Sequence, residues 1–272
     1  MKSKKNYWIL ALNAILAFSA NAQQANTIIA KATYHFVYID DTTQRDKPRQ
    51  EDMVLYLGKE ASLYRRVAEE ESQFYQHKAA GGSDANFDLN SLLEKTASQI
   101  SFPKENKSYT VERIIESMFL ISDTLPNIPW QIVDENKEIG GYNAQKAIAH
   151  FKGRTYTAWF SADVPFPFGP WKLQGLPGLI LEAADNKGEV AFQYLGFEQL
   201  PQRNTVIAVP KDIKIKKLSQ KNFNKIHQAF LADPSSFIKA TTGATSVAAG
   251  RPAGAGANFK PKQQNNPLEL EN

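Results

Sequence analysis

The chain has 272 residues, 42% of them apolar, and 32 basic against 28 acidic side chains give a net charge of +4. It has no cysteine, which excludes disulfides, thiol nucleophiles, Cys-ligated zinc and iron–sulfur clusters. A charge excess this small is no footprint of nucleic-acid binding.

The first 22 residues have the three parts of a cleavable signal peptide. Lys2, Lys4 and Lys5 form a basic start, Tyr7 to Phe18 an apolar run, and Ala20-Asn21-Ala22 a small-x-small cleavage pattern. The apolar run is too short for a span of ~20 residues. The expectation is an exported protein, periplasmic or secreted, that does not span the membrane after cleavage before Gln23. Without the three lysines, 29 basic face 28 acidic residues. One local basic excess runs from Arg203 to Lys225 and reads as a solvated strand and helix face.

After the leader, alternation of β-branched and aromatic residues dominates. Thr27 to Ile39 reads as a strand with Tyr34, Phe36 and Tyr38 on one face and His35, Val37 and Ile39 on the other. Met53-x-Leu55-x-Leu57 and Leu63 to Val67 follow around a turn at Gly58. Ala68 to Lys78 and Asn90 to Gln99 read as amphipathic helices, and Tyr109 to Ile121 as one long strand. Ala144 to Phe151, Arg154 to Ser161, Leu179 to Ala184, Val190 to Phe197 and Thr205 to Ile215 complete the strands. Gly140-Gly141, Lys152-Gly153 and Asn186-Lys187-Gly188 are hairpin turns. Ser219 caps a helix to Ala232 with Phe223, Ile226, Phe230 and Leu231 on one stripe. Residues 241–272, rich in Ala, Gly, Pro, Gln and Asn, read as a disordered tail. The folded domain is thus expected within 23–240.

Short hairpin connections predict a mainly β (α+β) fold with an antiparallel meander sheet. Strands apolar on both faces require cover on both. The expected shape is a curved half-barrel or bowl partly closed by a few helices, with a β-sandwich as the alternative.

The most informative stretch is 129–185. Trp130-Gln131-Ile132 leads to Gly141-Tyr142-Asn143-Ala144-Gln145-Lys146-Ala147, then Ala158-Trp159-Phe160, a Pro-rich loop ending in Gly169-Pro170, and the hexapeptide Gly175-Leu176-Pro177-Gly178-Leu179-Ile180. These spaced elements resemble the GLPGLI family, exported proteins of double-membraned bacteria whose biochemical role is largely unassigned. The resemblance implies a domain similar to the bowl-like, non-catalytic one that precedes a secreted peptide N-glycosidase. Relatives often carry Cys where this chain has Ala144, so no thiol role transfers. On physical grounds Gly175, Leu176, Pro177 and Gly178 form a structural turn that re-aims the chain into a buried strand.

The loop Val164 to Trp171 sets three aromatics among three prolines and is either a lid on the core or a recognition surface. Trp159, Phe166, Phe168 and Trp171 are the candidate ligand-binding residues. No catalytic set is found: His35, His77, His150 and His227 are isolated and lack metal-ligand spacing. Asp163, Glu182 and Asp185 are the carboxylates nearest the signature, and no reaction is assigned to them. No cofactor or metal is expected. The reading is a non-enzymatic envelope protein taking an apolar, peptide or glycan ligand on an aromatic-lined concave face. The rivals are an accessory of a secreted hydrolase or deglycosylase, and an adaptor docking to an outer-membrane protein.

Overall fold

The computed structural model of the chain describes residues 26–67, 98–114, 117–201, 205–210, 215–242 and 265–270. The leader, the expected helix from Ala68 to Lys78 and residues 90–97 of the helix expected from Asn90 to Gln99 lie outside these residues.

Six strands come first: β1 (Ala30–Tyr38), β2 (Arg49–Leu57), β3 (Ser62–Arg66), β4 (Ser98–Phe102), β5 (Lys107–Ile114) and β6 (Ser117–Thr124). A second series follows: β7 (Gln131–Ile139), β8 (Tyr142–Phe151), β9 (Arg154–Ser161), β10 (Leu179–Asp185) and β11 (Val190–Gln199). A short β12 (Lys216–Ser219) precedes helices α1 (Gln220–Ala232) and α2 (Pro234–Thr242). All twelve strands belong to one sheet, in the order β12-β6-β5-β4-β3-β2-β1-β11-β10-β9-β8-β7. The sandwich alternative is thereby overturned.

The sheet is two meanders fused through their first and last strands. β1 pairs antiparallel with β2 on one side and with β11 on the other. The pairing with β11 slips by one residue between Thr33 and Tyr34. One departure from a pure antiparallel sheet is β12, which runs parallel to β6.

Topology alone requires strong curvature. β6 and β7 lie near opposite ends of the order, ten strand spacings apart, or ~48 Å along the sheet. Residues 125–130 join them, and that length of chain reaches at most ~25 Å. The sheet therefore curls until its ends face each other, without closing.

Several expectations need correction. The single strand from Tyr109 to Ile121 is the β5–β6 hairpin, whose strands pair in register from Lys107↔Thr124 to Ile114↔Ser117. Ser98 and Gln99 belong to β4, not to the end of a helix. Residues 205–210 form no strand; Val206 makes an isolated bridge to Thr27, and Ile207 is buried. β7, with its Asp134-Glu135-Asn136-Lys137-Glu138 run, went unread because an edge strand is blunted with charge rather than alternation. The hairpin turns stand as expected. Gly140 and Gly141 both have positive φ, as do Lys152 and Gly153, the geometry of two-residue turns that follow the strand twist.

Residues paired across antiparallel strands share a face, so the register sorts the core. Ile114, Phe119 and Ile121 share the inner face and receive Phe223 of α1, with Ile226 and Phe230 beside it. Ser219 Oγ caps α1 by accepting from the Asn222 amide. The opposite face of β2–β5 buries Val54, Tyr56, Leu63, Ile100 and Phe102 beneath Ile28 and Ile207. Both faces of the first meander are thus covered in part, as its double-sided apolarity requires.

Candidate functional site

The second meander presents an unusual inner face. Ala147, Ala158 and Ala183 lie opposite one another on β8, β9 and β10, with Ala149 next along β8, and all four are buried. Side chains this small leave room above the sheet. The loop between β9 and β10 fills it with Val164, Phe168, Leu173 and Leu176.

The loop's path follows from its prolines. Hydrogen bonds from residue i+2 back to residue i bracket Pro165 (Phe166 N to Val164 O, 2.7 Å), Pro167 (Phe168 N to Phe166 O, 2.7 Å) and Pro177 (Gly178 N to Leu176 O, 2.8 Å). A fixed φ near −65° suits the centre of such three-residue turns. The loop then pairs with the strand that follows it: Leu179 N donates to Val164 O and Ile180 N to Phe168 O, each at 2.9 Å. Tyr34 reaches across from β1 to donate to the Ile180 carbonyl at 2.8 Å.

Within the signature, the two glycines differ in kind. Gly178 has φ +152°, and a Cβ there would overlap the Ser161 carbonyl. Gly175 has φ +90° with open space where its Cβ would be. Leu179, Ile180 and Leu181 are fully buried. The hexapeptide packs a loop onto a strand, and Gly175, Leu176, Pro177 and Gly178 are its turn.

The four candidate aromatics do not converge. Phe168 is 1% exposed and part of the core. Phe166 packs on Phe197 at 6.2 Å between ring centres. Trp159 pairs with Lys146 and Glu182, on the face opposite Ala158. Its ring there meets Lys137 at 4.5 Å and Lys146 at 5.7 Å, and Lys137 bonds Glu182 at 2.6 Å. Trp171 alone of the four lines the cleft described next. Its φ is +54°, an uncommon conformation for a bulky residue that marks a position imposed by its surroundings. Phe151 at 5.7 Å and Tyr156 at 6.4 Å hold its ring.

The cleft has a volume of about 430 Å³ and opens over the first meander, within the size range of small-molecule sites. Phe223 of α1 closes one end and Trp171 the other, with Phe36, Tyr38 and Phe192 between. Elements from opposite ends of the sheet thus meet over it, which makes this face the concave one. Phe36 stacks on Phe192 at 4.9 Å and 16°, and on Tyr38 at 5.9 Å and 20°. The three rings form a nearly parallel platform.

Beside the platform, Met53, Tyr64, Arg66, Gln99, Thr110 and Glu112 line the floor. Tyr64 and Gln99 pair across β3 and β4 and share this face. Each is only 6% exposed, and the Tyr64 hydroxyl and Gln99 Nε2 are buried without a hydrogen-bond partner among the described residues. Burial pushes the Tyr64 phenol well above its ordinary value, so it remains a donor. Two carboxylates at the cleft are held in ion pairs. Glu51 bonds Arg49 at 2.7 Å and Arg66 at 2.6 Å, and Glu269 pairs with both Lys152 and Lys172.

The other named residues are dispersed. Asp163 is exposed, Glu182 faces outward against Lys137, and Asp185 is buried against Arg154 at 2.7 Å. His35 bonds Asp52 at 2.7 Å. His227 stacks on Phe223, and burial lowers its pKa. Among the described residues no group of three His, Cys, Asp or Glu side chains is placed to hold a metal. No described helix is long and apolar enough to cross a membrane. Sequence reasoning missed Tyr64 and Gln99; Tyr64 reads as an ordinary strand aromatic, and Gln99 as the end of a helix.

Residues 149–182 match the family described as "protein of unknown function (Porph_ging)". No curated protein matches the sequence. Structures of PNGF-II in two space groups superpose with a TM-score of 0.51 each, at 14% and 16% identity. Each alignment covers 73% of this chain and 32% of PNGF-II, so the chain spans about a third of that protein's length and shares its fold there. Over residues 149–182, which hold the signature loop, the chain resembles the GLPGLI-type family.

Proposed function

We propose that the chain is an exported, non-enzymatic binding protein that takes a neutral glycan in the concave cleft. The observation that carries this reading is the pairing of the Tyr64 hydroxyl and Gln99 Nε2, buried and unpartnered among the described residues, with the Phe36–Tyr38–Phe192 platform. A buried polar group without a partner costs about 1–3 kcal/mol, and a ligand hydroxyl removes that cost. Sugar rings offer what both halves of the cleft require: C–H faces for aromatic rings and hydroxyls at the edge. A ligand ammonium or carboxylate would have to compete with the ion pairs that Glu51 and Glu269 already make at the cleft. Export rests on the leader sequence, and the non-enzymatic assignment on the dispersal of the carboxylates and histidines.

The test is a calorimetric titration with neutral trisaccharides, a neutral tetrapeptide and decanoate as probes. The reading expects heat from a trisaccharide, abolished in W171A while the circular dichroism spectrum is unchanged. Binding of the tetrapeptide or decanoate alone would overturn the glycan assignment.

One observation favours a second reading. The same fold occupies about a third of PNGF-II, so a domain of this shape stands beside other units in a longer protein. Under that reading this chain is the accessory of a separate secreted hydrolase. Co-purification with an envelope hydrolase, lost on mutation of the cleft, distinguishes it.

A further inference from the structure

Residues 265–270 fall in the part of the chain whose composition predicts a disordered tail, yet they lie against the second meander in a dense set of polar contacts. The Asn266 side chain is engaged at both ends: Nδ2 donates to the Ile39 carbonyl at 2.6 Å, and Oδ1 accepts from Arg154 Nη2 at 2.6 Å. Its amide donates to the Asp40 carbonyl at 3.2 Å, and its carbonyl accepts from the Tyr38 hydroxyl. Arg154 continues along the peptide, with Nη2 to the Pro267 carbonyl at 3.0 Å and Nε to the Leu268 carbonyl at 3.2 Å. Leu270 N donates to the Lys152 carbonyl at 3.1 Å, and Asn265 Oδ1 accepts from the Thr42 amide at 2.8 Å. Lys152 and Lys172 hold Glu269.

The receiving side is organised without the tail. Arg154 is 2% exposed, and its guanidinium is fixed by Asp185 at 2.7 Å and Glu189 at 3.1 Å. Asp185 is in turn fixed by the Glu189 amide at 2.7 Å and the Val190 amide at 3.1 Å, and Glu189 by Arg45 at 2.9 Å. These groups sit on β9, at the β10–β11 turn and in the segment after β1. A guanidinium held from behind by two carboxylates, with its remaining donors directed at successive peptide carbonyls, is preorganised for a peptide.

We propose that the groove around Tyr38, Arg154 and Lys172 is a peptide-recognition site, occupied in cis by the chain's own residues 265–270 and able to take the same sequence from a second copy. Asn266 is its specificity determinant, since both ends of the amide are read and a shorter side chain takes the acceptor from one N–H of Arg154 Nη2 and the side-chain donor from the Ile39 carbonyl. A tethered peptide competes at an effective concentration on the order of millimolar, so the wild-type groove resists a free peptide. Leu268 and Glu269 also form one wall of the neighbouring cleft, but the peptide site does not depend on what the cleft binds.

The experiment uses full-length chains and a fluorescein-labelled peptide of residues 265–270. The variant N266A weakens docking in cis, which hydrogen exchange over 265–270 reads directly, while a thermal melt reports the fold. The expected result is that the labelled peptide binds N266A at least about tenfold more tightly than wild type, and that the same peptide with alanine at position 266 binds neither. Three outcomes overturn the proposal: equal binding to both chains, no binding to an N266A chain whose tail has been released, or a tail that stays protected in N266A.

Discussion

The two meanders belong to one sheet but treat their inner faces in opposite ways. On the second, β7–β11, alanines pave the sheet, and the 162–178 loop and residues 265–270 occupy the space above them. On the first, β1–β6, larger and more polar residues (Met53, Tyr64, Arg66, Gln99 and Glu112) surround a cleft. There, α1 covers the outer strands. The comparison teaches that side-chain size on the inner face decides whether a bowl is filled by its own chain. Alanine admits a loop; Tyr and Gln leave polar atoms in need of a partner. One group runs against the contrast, because the Tyr156 hydroxyl in the filled half is also buried without a partner among the described residues.

The largest effects are expected where the second meander is packed by backbone. Any side chain at Gly178 overlaps the Ser161 carbonyl, so G178A should cost about 4 kcal/mol or prevent folding. G175A, with open space around it, should cost only the ~1–2 kcal/mol of a left-handed alanine. Chemical denaturation of the two variants checks this, and equal costs would remove the distinction between them. F168A should lose about 3–5 kcal/mol, as an aromatic deleted from a closed core does, without acting on the cleft. Denaturant unfolding together with the trisaccharide titration separates F168A from W171A, whose loss should be in binding.

An intermediate effect is expected from pH. Burial opposes ionisation of Glu189, but hydrogen bonds from Arg45 and Arg154 outweigh it and hold the carboxyl below its ordinary value of 4.5. A carboxylate with a depressed folded pKa contributes stability that is complete above the unfolded value and lost as pH falls through the folded one. Stability should therefore be flat above about pH 4.5 as far as Glu189 is concerned. It should fall below that pH, and fall less in a Glu189→Gln variant. Melting temperatures from pH 6 to 3 provide the measurement; a wild-type profile no steeper than the variant's would contradict this role for Glu189.

The smallest stability effect is expected in the open half. Removing a hydroxyl that has no partner leaves nothing unsatisfied, so Y64F should change stability by less than about 1 kcal/mol and in the stabilising direction. A loss above that in a thermal melt would show that the hydroxyl already has a partner inside the protein.

Much of the fold was legible in the sequence because its signals are local. Alternation placed β8 to β11 nearly to the residue, and the Gly-Gly and Lys-Gly pairs marked turns whose positive φ values the structure shows. The Pro-Gly signature announced its turn for the same reason. Pairings set by distant residues were not legible. Nothing near β1 states that its second neighbour is β11, and no Gly, Pro or Asn between Lys107 and Thr124 announces that β5 and β6 are separate strands. The loop aromatics could be read as a group, but not the face to which each points. A one-residue change of phase separates Trp159 on the convex side from Ala158 on the concave one. Residues 265–270 escaped because composition reports how little apolar area a segment can bury, and these residues are held by hydrogen bonds to a buried arginine.

The central claim is that the unfilled half of the bowl receives a ligand. Native mass spectrometry of the protein drawn gently from its own cell envelope, wild type beside Y64F, addresses it most directly. The account predicts a discrete added mass of saccharide composition on the wild type, reduced about tenfold in occupancy on Y64F. A bare wild-type mass, together with no heat from any trisaccharide, would contradict it.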